Sequence, residues 1–240
     1  MNKYVLITGA SGGIGRAIAL QLAQDGYSLY LHYNQNVSSI RELLEMLSDY
    51  KGEFIPIQAD LSTEDGYKKI VQNIFSIDAI VYNSGASLYG LFVDTDPDIL
   101  EKMTRIHVTS PLLLAKEILP KMIRQQTGQI LLITSIWGQT GAACEVVYST
   151  VKGAQIAFVK SLSKEMALNG IRVNGVAPGA VETSMLSQFS SEELDLVKGE
   201  IPLGRLAHPK EIADSVSFLL SDRASYITGQ ILGVNGGWHT

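Results

Sequence analysis

The sequence predicts an α/β protein: one domain over residues 1–240, built on a doubly wound parallel sheet of about seven strands with helices on both faces. Two observations carry this reading. Short runs rich in Val, Ile and Leu recur along the whole chain and alternate with longer amphipathic stretches, the pattern of strands buried on both faces between covering helices. The first of these runs leads into a glycine-rich turn and then an amphipathic segment, Lys3-Tyr-Val-Leu-Ile-Thr-Gly-Ala-Ser-Gly-Gly-Ile-Gly-Arg-Ala-Ile-Ala-Leu. At 240 residues, without linker, internal repeat or low-complexity segment, a single α/β domain is the economical reading.

Taken in order, the first strand spans about 3–8 and opens into the turn. Gly9 permits a tight bend, Gly13 lets the backbone approach a pyrophosphate, and Gly15 lets the following helix pack closely on the strand; Ser11 and Ile14 belong to the same turn. The helix N-terminus offers free N–H groups to an anion. The spacing is Gly-x-x-x-Gly-x-Gly rather than Gly-x-Gly-x-x-Gly. A second strand near 28–33 ends in the polar, uncharged stretch Leu31-His-Tyr-Asn-Gln-Asn-Val-Ser38, and a third near 53–58 closes on Asp60 and Leu61. The fourth, near 78–82, runs into Asn83-Ser-Gly85; the fifth, 129–135, ends in Ser135, which puts that hydroxyl at a strand tip where parallel sheets carry their sites. A sixth at 171–177 leads to Pro178-Gly179, and the last lies near 230–234. Between Ser184 and Lys198 a stretch rich in Ser and Glu breaks the rhythm, as either a mobile lid or an ordinary solvated helix.

Tyr148 and Lys152 carry the chemistry. Residues four apart on an α-helix share a face, so both side chains reach one site. A free tyrosine has a pKa of about 10, and a nearby ammonium stabilises its phenolate. With the Ser135 hydroxyl this describes a proton donor at a carbonyl. Alone, the Tyr-x-x-x-Lys spacing is equally a surface pair; the glycine turn shifts the weight.

Composition excludes other classes. A net charge of −5 argues against a nucleic-acid footprint, which needs clustered Lys and Arg. No apolar run approaches the ~18 residues of a membrane span, and Met1-Asn-Lys leads straight into the first strand without a signal peptide, so the expectation is a cytoplasmic protein with no membrane partner. The single cysteine, Cys144, excludes an internal disulfide; close to Tyr148, it reads as a small packing residue ahead of a catalytic one. His32, His107, His208 and His239 show no metal-ligand spacing, and no metal is expected.

These motifs resemble the short-chain dehydrogenase/reductase family across nearly the whole chain: Thr8-Gly9-x-x-x-Gly13-Ile14-Gly15, Asn83-Ser84-Gly85, Ser135, Tyr148-x-x-x-Lys152 and Pro178-Gly179. Ile201-Pro-Leu-Gly-Arg205, Tyr226-Ile-Thr-Gly-Gln230 and Asn235-Gly-Gly-Trp238 resemble its 3-oxoacyl-carrier-protein reductase branch in particular. The resemblance implies a Rossmann-like fold, a nicotinamide dinucleotide, and reduction of a ketone by hydride transfer with Tyr148 as acid. Lys152 then also bridges to the nicotinamide ribose and starts a proton relay. It places Asp60 and Leu61 at the adenine and Asn83 and Gly85 at the adenosine ribose. The Val181 backbone meets the nicotinamide amide and the Thr183 hydroxyl the diphosphate. Without it, Asp60 is a cap for the segment starting at Ser62, Asn83 a turn residue and Pro178-Gly179 a turn. No acid ends the second strand to repel a 2′-phosphate, so NADP(H) is favoured over NAD(H). Asn34, Asn36 and Ser38 offer hydrogen bonds there, although Gly12 stands where NADPH users of the family often carry a basic residue. The family also implies a homotetramer packed through about 105–126, 148–169 and 230–234.

Two departures bear on the substrate. His107 replaces the family's usual asparagine, which anchors a relay water, and reads either as part of the catalytic set or as a satisfied core histidine. Gln126 and Asn169 replace the arginines with which the fatty-acid branch meets acidic acyl-carrier protein, and Arg124 and Arg172 nearby do not replace them residue for residue. His107, with Ser135-Ile-Trp-Gly-Gln-Thr-Gly-Ala-Ala-Cys-Glu-Val-Val-Tyr148, resembles instead reductases of the lysine-linked aminopentanone group of elongation factor P, a protein-attached ketone. Glu145 would be a counter-charge for its amine, or simply a solvated loop acid, and Trp137 would wall the pocket or simply fill it. A dinucleotide-binding sensor without catalysis is the alternative of another class; it has no use for the acid pair.

Overall fold

Along β1 (Tyr4–Ile7) successive side chains enter two different cores, Val5 and Ile7 on one face and Tyr4 and Leu6 on the other. That is the period of two of a strand, and because both faces are apolar the strand has to be covered twice. The computed structural model describes residues 3–186 and 189–240. Over them β1 is followed by α1 (Gly13–Gln24), β2 (Ser28–Tyr33), α2 (Val37–Leu47), β3 (Phe54–Gln58), α3 (Gly66–Gln72) and β4 (Ala79–Tyr82). Then come α4 (Pro97–Thr104), α5 (Ser110–Gln125), β5 (Gly128–Ile133), α6 (Trp137–Thr140), α7 (Val146–Met166), β6 (Ile171–Pro178), α8 (Ser191–Glu200), α9 (Pro209–Leu220) and β7 (Ile231–Val234).

All seven expected strands form, in the order β3-β2-β1-β4-β5-β6-β7, every pair parallel. One core holds Ile18 and Leu22 of α1, Leu43 and Leu47 of α2, and Val216 and Leu220 of α9. The other holds Ile70 of α3, Ile118 and Met122 of α5, and Val159 and Leu162 of α7. The strand order reverses between β1 and β4, and in sheets of this kind that switch point marks the ligand crevice beyond the carboxyl ends of the strands.

Two local departures position the site. β5 stops at Ile133, so Ser135 lies just beyond the strand and not at its last position. Thr134 turns the chain: its N–H and its hydroxyl both donate to the Val176 carbonyl, at 2.7 and 2.9 Å. Second, α4 runs into α5 through a π-helical turn, Arg105–Thr109. Such a turn carries an extra residue and disturbs the regular backbone ladder. Two of its carbonyls are met from outside, Ile106 by the Tyr82 hydroxyl and His107 by the Gln155 amide.

The Ser184–Lys198 segment, apart from residues 187 and 188 outside the described ones, forms a short 3-10 turn and then α8. α8 buries no residue and starts on a capping box between Ser190 and Glu193. Among the described residues no helix is long and apolar enough to cross a membrane, and no group of three or more His, Cys, Asp or Glu is placed to hold a metal ion.

Candidate active site

The glycine turn after β1 is built around backbone contacts that tolerate no side chain. Gly9 has φ +69°, a left-handed conformation. A Cβ on Gly15 would lie 2.2 Å from the Gly9 carbonyl oxygen, so α1 sits directly on the turn. A Cβ on Gly13 would lie 2.8 Å from Cγ2 of Thr183, which comes from the loop after β6. Gly12 caps α1 without a side-chain hydrogen bond, and no acid occupies the first turn. The first N–H groups of α1 therefore face a floor formed by Thr183, with half-buried Ser11 and Ile14 beside them. This cradle suits a diphosphate.

Three residues hold the turn. Asn83 donates from its backbone to the Thr8 hydroxyl at 3.0 Å and from Nδ2 to the Thr8 and Gly9 carbonyls at 3.1 and 3.2 Å. His32, buried in β2, accepts the Gly9 N–H on Nδ1 at 3.1 Å, which leaves Nε2 to donate to the Ala59 carbonyl at 3.1 Å. Burial pushes its pKa down to about 4, so the ring stays neutral. Sequence reasoning misses this histidine. Its only signal is a lone imidazole at a position where β2 is otherwise apolar on both faces.

Around the rest of the crevice the predicted residues fall in different settings. Asn34 is exposed at the end of β2, its carbonyl accepting from Gln58, whereas Asn36 and Ser38 are engaged in the cap of α2. Asp60 closes a local turn, one carboxylate oxygen accepting the Ser62 N–H at 2.8 Å and hydroxyl at 2.7 Å; α3 itself is capped later, at Asp65. Leu61 is buried and its carbonyl accepts the Ser110 hydroxyl at 2.7 Å. Pro178 and Gly179 fasten the end of β6, the Pro178 carbonyl to Ile136 N–H and the Gly179 N–H to the Val234 carbonyl, both at 3.1 Å. Val181 forms a parallel bridge with Ala207 through the Ala180 carbonyl and the Glu182 N–H. Its own N–H and carbonyl therefore point out of that bridge.

Ser135, Tyr148 and Lys152 converge beside this crevice. The Ser135 hydroxyl accepts the Trp137 N–H at 3.2 Å and lies close enough to Tyr148 to lower its pKa. α7 can approach because Gly138 has no side chain: a Cβ there would lie 2.7 Å from the Lys152 backbone. Lys152, 4% exposed, donates from Nζ to the Ile133 carbonyl at 2.8 Å and to Gln155 Oε1 at 3.3 Å, with Nζ 5.5 Å from the centre of the Tyr148 ring. Gly85 abuts His107, whose Nε2 meets the Ala86 N–H and carbonyl at 3.1 and 2.9 Å. Trp137 packs edge-on against Trp238, ring centroids 5.0 Å apart. Cys144 is half-buried, and its carbonyl accepts the Gly90 N–H.

The electrostatics differ from the sequence expectation. Burial pushes Tyr148 up to about 12, reinforced by the Glu145 charge and opposed by Ser135. Burial also pushes Lys152 down to about 7. Desolvation thus outweighs the expected stabilisation of a phenolate, because the ammonium is tied to oxygens on the ring side of Tyr148. His107 is depressed to about 3 by burial and then by Lys152, so it is a neutral ring and not a charged donor. Glu145 is raised to about 7 by burial.

A doubly wound sheet with a glycine turn at its switch point and Ser135, Tyr148 and Lys152 beside it has the architecture of a dinucleotide-dependent oxidoreductase. Relatives agree. A family profile described as Enoyl-(Acyl carrier protein) reductase matches residues 9–239. The chain is 56% identical over 241 residues to "Uncharacterized oxidoreductase YmfI" of Bacillus subtilis (strain 168), with 100% of both chains covered. It is 37% identical to the 3-oxoacyl-[acyl-carrier-protein] reductase FabG of Aquifex aeolicus (strain VF5), covering 98% of this chain and 97% of that one. Among solved structures, the angucycline C-6 ketoreductase LanV with bound NADP is similar at TM-score 0.90 and 27% identity, over 98% of this chain and 94% of the other. The chain belongs to the short-chain dehydrogenase/reductase family.

Proposed function

We propose that the protein is an NADPH-dependent reductase that converts a ketone to a secondary alcohol, with Tyr148 as the proton donor. The observation that carries this is the convergence of Ser135, Tyr148 and Lys152 beside the cradle of Gly9, Gly13 and Thr183. The uncharged end of β2 and the NADP bound by LanV support the phosphorylated cofactor. NADPH supplies the hydride; the chain supplies position and the proton. With the Trp137 N–H on one lone pair, the Ser135 hydroxyl can turn its proton toward a ketone oxygen. A phenol held at about 12 is protonated at neutral pH, yet more acidic than the alcohol product, whose pKa is near that of water (~15.7). Proton transfer from Tyr148 to the developing alkoxide is therefore downhill. Lys152 sits behind the ring as the charge that rises with the phenolate.

The ketone is the finer question. A 3-oxoacyl thioester on carrier protein is one reading, supported by FabG-named relatives. A second, the lysine-linked aminopentanone of elongation factor P, is supported by Glu145, a half-buried carboxyl acting directly on Tyr148. The docking surface supports it too: Arg172 spends its guanidinium on the Leu219 carbonyl and Gln129, both at 2.7 Å, and Gln126 folds back on Ile123. Neither offers a free cation to an acidic carrier, whereas Arg124 nearby is exposed. The proposal includes a cytoplasmic homotetramer, supported by the exposed Leu112, Leu168 and Leu232 on the expected contact elements. The test is to incubate the protein and NADPH with 3-oxoacyl-carrier protein and with ketone-modified elongation factor P and weigh the products by mass spectrometry. A gain of two hydrogens on one of them identifies the substrate; oxidation of NADPH with neither, nor with any ketone, overturns the reading.

A further inference from the structure

Gln155 lies in the middle of α7 on its inward face, only 1% exposed. A primary amide there is costly unless both its ends are satisfied. Both are. Oε1 accepts from Lys152 Nζ at 3.3 Å and Nε2 donates to the His107 carbonyl at 2.8 Å. The orientation is self-consistent, since a flipped amide would set N–H groups against the ammonium and oxygen against a carbonyl.

We infer that Gln155 is a positioning residue for the reaction, its carboxamide bridging the Lys152 ammonium to the backbone of the π-helical turn at His107. This rests on the reading of Tyr148 and Lys152 as the acid pair. Lys152 and Gln155 are three residues apart and share a helix face, and the π turn is what leaves the His107 carbonyl to be reached from α7. Of the three N–H bonds of the ammonium, Ile133 fixes one and Gln155 a second; with both fixed, the third has one direction left. An amide in this arrangement holds an ammonium but passes no proton, so Gln155 sets the orientation and charge of Lys152 and is not a link in a relay. The titratable groups facing Lys152 are Tyr148 from its own helix and His107 from the π turn, and neither is altered by changing Gln155.

The test uses the whole protein with lysine labelled at the ε-carbon, so that Lys152 is titrated by NMR without any substrate, alongside steady-state reduction of an acetoacetyl thioester by NADPH. Gln155→Leu fills the same volume but offers no acceptor; Gln155→Ala leaves room for a water that can bridge instead. In the leucine variant Lys152 is expected to titrate at least about one pH unit lower, as loss of a hydrogen bond to a charge requires. Its kcat should fall about tenfold while KM for the ketone stays within about twofold. The alanine variant should melt lower than the leucine variant yet turn over faster, the reverse of what packing alone dictates. A leucine variant with wild-type titration and kcat overturns the inference, as does activity in the two variants that simply follows their melting temperatures. If Tyr148→Phe still turns over, the acid-pair reading fails instead, and the Lys152 titration still decides the bridge.

Discussion

His107 and Tyr148 meet edge to face, their ring centroids 5.8 Å apart and their planes 88° to one another. The histidine touches the proposed acid as a neutral, buried ring, so its contribution is to shape the wall behind the phenol and not to exchange protons near neutrality. Its Nδ1 is buried without a partner among the described residues, a polar atom turned away from the backbone contacts that Nε2 makes with Ala86.

Tyr148→Phe should lower kcat for ketone reduction by about 10²- to 10⁴-fold, the usual weight of a general acid. NADPH affinity should stay nearly unchanged, because the ring remains. Stopped-flow absorbance of the nicotinamide and fluorescence titration separate the two effects.

Acid should destabilise the fold through its buried neutral histidines. His32 has its pKa lowered from 6.5 to about 4 in the folded protein. The unfolded chain therefore takes up the proton first, and the contribution to stability is present above 6.5 and lost as pH falls from there toward 4. Between neutrality and about pH 5 this one ring costs about 2 kcal/mol, and His107 adds to the same slope. His32→Gln keeps an acceptor and a donor but no titrating group, so its melting temperature should depend less steeply on pH.

Gly13→Ala drives a methyl into Thr183 Cγ2 and should weaken NADPH binding about tenfold or more as the floor moves away from the cradle. Adding Thr183→Ser removes that methyl and keeps the hydroxyl. The double variant should recover much of the affinity, measured by calorimetry. Gly15→Ala meets a backbone oxygen, which no side-chain change relieves, and should mainly lower the melting temperature.

Glu145 ties the choice of ketone to pH. Its carboxyl is raised to about 7, so it is charged above that value and neutral below. For a ketone bearing an amine, KM should rise as pH falls through about 7; for an uncharged ketone it should stay flat. Glu145→Gln should raise KM for the first about tenfold and leave the second alone. Equal effects on both would mean that Glu145 acts through Tyr148 instead.

The strands were legible because buried parallel strands are written as bare apolar runs bounded by turn residues, and the glycine turn because its spacing has few structural uses. Ser135 could be named because it follows an apolar strand run, and Tyr148 and Lys152 because their spacing was read together with the glycine turn and the family motifs. What escaped depends on contacts distant in sequence. Gln155 looks like a surface residue until the chain that passes opposite it is known, and His32 looks like one more strand position. The mutual placement of charges was also hidden. An ammonium near a phenol predicts a stabilised phenolate, but how deeply both are buried decides the sign, and burial is a property of the folded layers.

The π turn at Arg105–Thr109 gives chain length itself a functional meaning. It amounts to one residue more than a plain α-helix would use. Deleting any one of these five positions would let residues 97–125 close into an uninterrupted helix, with every later core contact of α5 intact. The bulge absorbs the extra residue, so the helices on either side would keep their faces while the residues of the turn itself are re-aimed. Such a protein would fold, melt normally and carry every motif by which its family is recognised, yet the His107 ring and carbonyl would no longer face Tyr148 and Gln155. In this chain a frame-preserving loss of one codon would leave the recognisable motifs in place and remove the contacts that the turn makes behind Tyr148 and Gln155.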